Sequence, residues 1–477
     1  MEESRIGSNE LSSDLIYMPD ELMRFIKRDT YSLLIKGFAG TGKTTLALTI
    51  LRALESKNNF FYISTRISPK QIFQYYPWLD KFIESSKSSN SSETSTEYAN
   101  LMSAFEDARL DEPESLFERI TNQLMDIKSP IIIIDSWDAI ASFMDKEARL
   151  NNERVLQTWR ERAGAKLIFI SEHPTDTTLD FLVDGIVELK QSYYDNVKVR
   201  EIFMIKLRGV RIDRPSYFYT LENSVFRSFA PYKPVKLLPS SKNSPSARTF
   251  EGPQSMIKSG YPVLDDAIGG GLPRKGIVLL ELNSHITTAV AMAFIGRIIS
   301  NFISNGNPVL LQPFDWIGPQ AIIEYLGPYV SSGKNLFKIL WNDKVNGIPE
   351  SIVLSRQKQQ DPSLAAINEI KQKYSDKLLL NIMGTDILQK RYGSDTKCKI
   401  ENLLYEFRIH ADLTMAVIRQ SQKDILEYFT EVSDLHLQLL MINGTLFLQS
   451  LVPASTLYSL VFDNKDYGYQ LGLQPVV

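Results

Sequence analysis

Eight consecutive residues near the N-terminus have the composition and spacing of a phosphate-binding loop. The segment from Gly37 to Thr44 reads GFAGTGKT and matches the pattern G-x-x-x-x-G-K-[ST] in full. Glycines in this pattern let the backbone turn tightly, so that its N–H groups point at phosphate oxygens. The lysine, here Lys43, reaches the β- and γ-phosphates, and the threonine hydroxyl binds magnesium. The segment therefore predicts a site for ATP with Mg²⁺.

The residues around this loop favour phosphate binding over the alternative, a glycine-rich turn that binds nothing. An apolar stretch at 31–36 precedes the loop, and a helix-like stretch from Lys43 to about residue 56 follows it and offers its N-terminal dipole to the phosphates. We expect Lys43 to act on the phosphates as a catalytic residue as well as a binding one. The nine residues expected to contact the nucleotide are Gly37, Phe38, Ala39, Gly40, Thr41, Gly42, Lys43, Thr44 and Thr45.

A carboxylate further along the chain is the candidate partner for the magnesium ion. Asp135 ends the apolar run Ile131 to Ile134, which is typical of a buried strand. Ligands bind beyond the carboxyl ends of strands in open α/β sheets, and P-loop sites hold magnesium with an aspartate there. A lone aspartate at a strand end is commonly only a turn residue. Beside an intact P-loop, however, we expect Thr44 and Asp135 to be metal ligands.

The elements that would position these residues alternate between strands and helices. Continuous apolar runs at 31–36, 60–64, 131–134 and 166–171 are typical of parallel strands buried on both faces, and alternation at 185–189 and 200–207 is typical of an edge hairpin. The segment after residue 255 repeats this order of strands and helices. The sequence therefore predicts an α/β fold with two tandem domains on mostly parallel central sheets, the second of them degenerate. Its candidate strands are 277–282, 308–312, 378–382 and 413–418.

Composition sets the expected domain boundaries. A Pro/Ser/Lys-rich segment, 230–255, is predicted to link an ATP-binding domain at 1–229 to a domain without an intact P-loop at 256–477. An acidic, Ser-rich insertion is expected near 80–118, where the run SSKSSNSSETST cannot bury surface.

Charge and cysteine content exclude several classes of protein. The 477 residues carry a net charge of −3 and a single cysteine, Cys398, so no disulfide within the chain can form. No apolar run is long enough to cross a bilayer, and the polar N-terminus differs from a signal peptide. We therefore expect a cytoplasmic protein without a membrane anchor. The acidic balance also disfavours nucleic acid as a partner.

Taken together, these segments resemble the KaiC-like branch of the RecA superfamily, which is found widely in archaea and cyanobacteria. The matching stretches are GFAGTGKTT, IIIIDSWDAI, FLVDGIVELK and KLRGVR, and SGYPVLDDAIGGGLPRKGIVLL after the linker is similar to the start of a KaiC-type domain. Within that branch, YISTRISP (Tyr62 to Pro69) is similar to the archaeal gas-vesicle regulator GvpD and its relatives. The resemblance implies two tandem RecA-like domains in an ATP-dependent regulatory or signalling protein.

The resemblance also implies roles for two basic residues. In this branch, subunits form rings with ATP at the subunit boundary, and a K-[ML]-R-G segment reaches the γ-phosphate of a neighbour. Lys206 and Arg208 occupy those positions here and become candidate catalytic residues acting between subunits. The alternative is two solvated charges on an alternating strand.

The chain departs from the family at two places. Hydrolytic members carry a glutamate after the second strand to align water, whereas this chain has Thr65 and Arg66 there, so slow hydrolysis at most is expected. Arg66 could contact phosphate instead, and Glu172 could substitute for the missing carboxylate; alternatively, both are simply solvated. After the strand that begins the second domain the chain reads ELNSHITT, without the glycines or the lysine, and Glu281 is expected to repel phosphate.

The sequence thus predicts an ATP-binding regulator whose first domain switches assembly or partner binding. We expect a homo-oligomer and a protein partner, a transcription regulator being one candidate. The alternative is a DNA-repair or recombination ATPase of the RadA-paralogue type, which would need basic loops and salt-dependent DNA affinity.

Overall fold

The structure is a computed structural model that describes most of residues 17–232 and 256–477. Outside the description, besides 1–16 and 233–255, lie 56–58, 85–104, 110–114, 117, 119–120, 123–127, 145–154, 157, 159, 162–163, 174, 176–178, 195–196, 313, 332, 342–352, 356–361, 387–395 and 466–467. The chain divides into two compact units. One runs to Ala230 and includes Val476–Val477, and the other runs from Pro231 to Pro475.

The first unit is built on a nine-stranded sheet. In chain order its strands are β1 (Tyr31–Gly37), β2 (Phe60–Ser64), β3 (Phe105–Asp107), β4 (Ile131–Asp135), β5 (Lys166–Ser171), β6 (Gly185–Tyr194), β7 (Val197–Leu207), β8 (Ser216–Thr220) and β9 (Arg227–Ser228). Their order across the sheet is β3-β2-β4-β5-β1-β6-β7-β8-β9. The strands from β3 to β6 run parallel, and the remaining pairs are antiparallel.

Helices cover both faces of this sheet, which explains the continuous apolar runs. Leu33 and Ile35 of β1 lie in one core cluster, whereas Leu34 between them lies in the cluster on the opposite face with Trp137. Every residue of such a strand is therefore buried. The helices are α1 (Asp20–Ile26), α2 (Lys43–Ala53), α3 (Pro69–Tyr75), α4 (Trp78–Glu84), α5 (Trp137–Ala141) and α6 (Leu179–Leu182).

The second unit contains a ten-stranded sheet and a separate two-stranded ribbon of β10 (Met256–Ile257) and β11 (Leu272–Pro273). The order across the large sheet is β15-β14-β13-β16-β17-β12-β18-β19-β20-β21. Its strands are β12 (Gly276–Leu282), β13 (Val309–Leu311), β14 (Phe337–Trp341), β15 (Val353–Ser355), β16 (Leu380–Gly384), β17 (Leu413–Arg419), β18 (Leu435–Ile442), β19 (Thr445–Val452), β20 (Tyr458–Lys465) and β21 (Gly468–Pro475). Its helices are α7 (Pro262–Ala267), α8 (Thr288–Ser304), α9 (Pro319–Val330), α10 (Pro362–Lys373), α11 (Thr396–His410) and α12 (Lys423–Val432).

The two units repeat one topology. In the first, β1 lies between β5 and β6, and in the second, β12 lies between β17 and β18, all of them parallel. An antiparallel hairpin then follows in each unit, β6 with β7 and β18 with β19. The predicted α/β class, with two tandem domains on mostly parallel sheets, is confirmed.

The structure differs from the sequence prediction at the hairpin and in the acidic insertion. The hairpin is not at the sheet edge, because β8 pairs with β7, and all five β8 residues are buried. Within the insertion, β3 forms an edge strand because Phe105 packs against the rings of Phe60, Tyr62 and Phe73. The Ser-rich run 85–96 and linker residues 233–255 lie outside the described residues.

Among the described helices, none is long and apolar enough to span a bilayer.

Candidate nucleotide-binding site

The loop between β1 and α2 adopts a conformation that requires its glycines. Gly42 directly precedes α2 with φ at 89°, and a Cβ atom there would lie 2.6 Å from Cδ1 of Leu221. At Gly37, the last residue of β1, a Cβ atom would lie 2.5 Å from the carbonyl oxygen of Leu189. A side chain at either position would therefore force the loop or its neighbours to move.

Hydrogen bonds within the loop fix its shape. The buried Lys43 donates from Nζ to the carbonyl oxygens of Gly37 at 2.8 Å and Phe38 at 2.9 Å. The hydroxyl of Thr41 also donates to Phe38 O, and Tyr219 donates its hydroxyl to the carbonyl of Thr41 at 2.5 Å. Phe38, Ala39 and Gly40 form the exposed tip. The loop is thus held from both ends while its tip faces solvent.

Thr44 and Asp135 come together as the sequence predicts. Thr44 donates its hydroxyl to Oδ2 of Asp135 at 2.6 Å, and Tyr62 donates its hydroxyl to the same oxygen at 2.5 Å. Burial, together with the neighbouring carboxylate, raises the pKa of Tyr62 well above its usual value, so Tyr62 remains a donor. The last member of the predicted set, Thr45, is buried and bonds through its hydroxyl to that of Tyr76 at 3.1 Å.

This donor set fits a magnesium ion. A hydroxyl oxygen and a carboxylate oxygen lie side by side next to a loop able to present backbone N–H groups, and Mg²⁺ prefers oxygen ligands. The described residues contain no cluster of three or more His, Cys, Asp or Glu side chains that could hold a metal. A magnesium ion here would have Thr44 and Asp135 as protein ligands and take its other ligands from phosphate and water.

The structure does not bring Lys206 and Arg208 to this loop. In the sheet, Lys206 of β7 lies opposite Ile186 of β6, and Ile186 lies opposite Leu34 of β1. Leu34 is three residues before the end of β1. At 3.3 Å per residue this places Lys206 about 10 Å back along the sheet, and Arg208 farther still. Lys206 donates to the carbonyl of Asp180 at 2.9 Å, and Arg208 pairs with Asp184 at 3.3 Å. Neither side chain has a contact with its own P-loop among those the structure gives.

Two further features of the site had weak or no sequence signals. Tyr62 lies in the apolar run of β2, and nothing in that run distinguishes a tyrosine that binds a carboxylate from one in the core. Arg66 and Glu172 form an ion pair of 2.5 Å between Nη1 and Oε1, although the sequence offered each of them only as a possible phosphate or water ligand. The backbone N–H of Glu172 donates to Oδ2 of Asp138 at 2.6 Å.

The equivalent loop of the second domain has the same length but different chemistry. Strand β12 ends at Leu282 and α8 begins at Thr288, as β1 ends at Gly37 and α2 begins at Lys43. Leu282 thus takes the place of the first glycine, Thr288 that of the lysine, and Ala289 that of Thr44. From the strand pairing, the position of Asp135 corresponds to Gly384.

Side chains of the second loop bind backbone N–H groups in the loop and in the elements next to it. Oδ1 of Asn283 accepts from the backbone N–H groups of His285 and Met441, and Thr287 caps α8 by accepting from Val290 N. Glu281 was expected to repel phosphate, but the structure places it elsewhere. Glu281 is the second-last residue of β12, so it belongs to the strand and not to the loop. Its side chain is buried and accepts a hydrogen bond from Gln438 at 2.9 Å.

An intact P-loop between a parallel strand and a helix, with an aspartate two strands away in the sheet, defines the first unit as a P-loop domain. Residues 22–207 match the family model of the GvpD gas vesicle protein, P-loop domain. This segment is therefore similar to the P-loop domain of GvpD, and the resemblance to GvpD and its relatives is confirmed.

Two proteins of Halobacterium salinarum are similar to a larger part of the chain. Protein GvpD2 is 25% identical over 312 residues, which cover 63% of this chain and 62% of that protein. Protein GvpD1 is 26% identical over 320 residues, which cover 63% of this chain and 56% of that protein. The match thus spans less than two thirds of each relative.

Proposed function

We propose that the first domain binds Mg-ATP at Gly37 to Thr45 and that its occupancy regulates assembly or binding of a partner protein. The observation that carries this proposal is the contact of 2.6 Å between Thr44 and Asp135 beside an intact phosphate-binding loop. The two residues lie far apart in the sequence, and their meeting at the carboxyl edge of a parallel sheet is the arrangement that magnesium-dependent phosphate binding needs.

Each part of the site has a separate role in this proposal. The loop N–H groups and the dipole of α2 stabilise the phosphate charges. Lys43 exchanges its carbonyl partners for phosphate oxygens, which are stronger acceptors because they are charged. Magnesium is held by Thr44 and Asp135, and Tyr62 keeps the carboxylate oriented. Mg²⁺ supplies positive charge to the β- and γ-phosphates when it is bound.

A regulatory role is favoured over that of a fast ATPase. Arg66 follows the second strand at the position where hydrolytic relatives in the RecA superfamily carry a glutamate, and the second domain has no intact P-loop. The match to the GvpD family supports a regulator as well, since the resemblance implies that role. We further propose that the domains are RecA-like and that the protein is cytoplasmic. We also propose that Lys206 and Arg208 serve a neighbouring subunit in a homo-oligomer, because both lie too far from their own P-loop to act on it.

The test is ATP affinity of the purified chain with Mg²⁺ and with EDTA, for the parent and for Lys43→Ala. The exposed Lys70 in α3 provides a matched control as Lys70→Ala. We expect magnesium-dependent binding in the parent and in the control, and a loss of at least 100-fold in Lys43→Ala, because a charged group at the phosphates is removed. Light scattering with and without ATP tests the regulatory part. Absence of ATP binding by the parent would refute the proposal, and an unchanged mass in ATP would refute control of assembly.

A further inference from the structure

An ion pair crosses the carboxyl edge of the sheet beside the P-loop. Arg66 lies two residues beyond β2 and Glu172 one residue beyond β5, and β4 with Asp135 runs between these strands. The guanidinium of Arg66 reaches over that strand to Glu172, with 2.5 Å between Nη1 and Oε1. The side chains are 53% and 26% exposed, so both can change partners without leaving a buried charge.

Both members of the pair lie within electrostatic reach of Lys43. Burial lowers the pKa of Lys43, and Glu172 opposes that change more strongly than any other charged residue, ahead of Asp135. Arg66 acts in the same direction as burial. The strand order gives the same neighbourhood from geometry, because β2 and β5 flank β4, whose last residue Asp135 contacts Thr44 directly after Lys43.

The backbone beneath the pair is anchored, so only the side chains need to move. The N–H of Thr65 donates to the carbonyl of Asp135 at 2.8 Å, and the N–H of Ser136 donates to the hydroxyl of Thr65 at 2.9 Å. On the other side, the N–H of Glu172 donates to Asp138 at 2.6 Å. A rotation of either long side chain therefore opens the pair without disturbing the strands.

We propose that Arg66 and Glu172 form a switch that distinguishes ATP from ADP. This inference rests on the proposed binding of Mg-ATP at the P-loop. The γ-phosphate competes with the carboxylate for the guanidinium, which binds phosphate in bidentate fashion. ADP has no phosphate at that place and leaves the ion pair closed. With ATP, Arg66 moves to the γ-phosphate and Glu172 is released.

Once released, Glu172 acts as the general base that aligns and deprotonates water, which is the role of the glutamate missing after β2. It accepts a hydrogen bond from a water molecule and then its proton, while the water oxygen forms a bond to the γ-phosphorus. The bond from that phosphorus to the β,γ-bridging oxygen breaks, and the products are ADP and inorganic phosphate. The glutamate of the second strand is thus replaced by one at the end of β5.

Two substitutions that break the same ion pair have opposite expected effects. Arg66→Ala removes a ligand of the γ-phosphate, so ATP affinity falls about tenfold while ADP affinity is unchanged. Glu172→Gln removes the competitor of the phosphate, so ATP affinity rises about two- to tenfold, and phosphate release falls about 100-fold because the base is lost. Both variants are expected to fold, since an ion pair this exposed adds little to stability.

The measurement is the affinity for ATP and ADP, each with Mg²⁺, together with phosphate release, for the parent and the two variants. Arg109→Ala, which breaks the exposed pair of Arg109 with Asp107, is the matched control and is expected to behave as the parent. Equal changes in ATP and ADP affinity, or changes of the same sign in both variants, would overturn the switch. A parent without measurable phosphate release would overturn the role of Glu172 in hydrolysis. Loss of all nucleotide binding by the parent, in contrast, is the failure of the proposed function itself.

Discussion

The hydroxyl of Tyr62 lies 2.5 Å from Oδ2 of Asp135, the oxygen that also accepts from Thr44 at 2.6 Å. Tyr62 is in β2 and Asp135 ends the adjacent strand β4, so the sheet itself fixes their separation. One carboxylate oxygen is therefore oriented by two hydroxyl groups. In the proposed magnesium site, a carboxylate held in this way would need little reorganisation on binding the ion.

Replacing Tyr62 with phenylalanine is expected to weaken magnesium binding without unfolding the domain. The variant loses one hydrogen bond to a charged group, worth about 1.5 kcal/mol or more, so the Mg²⁺ concentration needed for ATP binding rises about tenfold. Titration of Mg²⁺ at fixed ATP measures this. Tyr193→Phe, at an exposed tyrosine of β6, is the control. An unchanged magnesium midpoint would mean that Tyr62 does not position Asp135.

Gly42→Ala is expected to abolish ATP binding by distorting the loop. The new Cβ would meet Cδ1 of Leu221 at 2.6 Å, and the positive φ adds about 1 kcal/mol of strain. The double variant Gly42→Ala with Leu221→Ala removes the collision but keeps the strain. We expect it to recover part of the affinity in the same titration. If the double variant binds no better than Gly42→Ala, the contact with Leu221 is not what requires glycine.

Mixing two inactive variants tests whether Arg208 acts between subunits. Lys43→Ala lacks a P-loop lysine, and Arg208→Ala lacks the proposed contribution to a neighbour, so each alone should release phosphate slowly. In a mixed assembly some interfaces combine an intact P-loop with an intact Arg208, and phosphate release should return in part. Arg211→Ala, at a side chain 87% exposed, is the control. No recovery on mixing would exclude the action between subunits.

Asp265 in α7 is expected to make the second domain less stable as pH rises. Burial raises its pKa to about 6, although the backbone N–H of Ser259 donates to its Oδ1 at 2.9 Å and opposes that shift. Because the pKa is higher in the folded than in the unfolded state, the contribution to stability is fully present below about pH 4 and is lost as pH rises through about 6.

Asp265→Asn keeps the oxygen that Ser259 needs but removes the charge. Unfolding by urea at pH 7.5 should therefore show the variant to be more stable than the parent by up to about 3 kcal/mol, and the difference should shrink by about 2 kcal/mol towards pH 4.5. Comparing the two proteins at each pH cancels all other titrating groups. A difference that does not change with pH would show that Asp265 is not the group responsible.

Local pattern was sufficient to predict much of the fold. The strands at 60–64 and 166–171 have the predicted bounds, because residues buried on both faces are apolar without interruption. The meeting of Thr44 with Asp135 was also predicted, since the carboxyl ends of parallel strands share one edge of the sheet. In the second domain, β16 begins at Leu380 rather than at the predicted 378, because the apolar run LLL gives no sign of where pairing starts.

The parts that could not be predicted depend on contacts between distant segments. Tyr62 and Tyr219 reach the site only because of strand order and side-chain direction, and both look like core residues in the sequence. The sequence predicts that the loop of the second domain begins at Glu281, one residue before the true end of β12 at Leu282. Glu281 was therefore expected to face phosphate, although it lies inside the sheet. A charged residue in a strand is unusual, and only the structure supplies its buried partners, His436 and Gln438.

In the loop from Leu282 to Thr288, the side chains of Asn283 and Thr287 are occupied by backbone N–H groups of the second domain itself. We therefore expect the second domain to have the same free energy of unfolding at any nucleotide concentration. The loop of the first domain, whose lysine can exchange partners, should instead be stabilised as nucleotide concentration rises. The chain would then combine one domain whose stability depends on the nucleotide concentration with one whose stability does not.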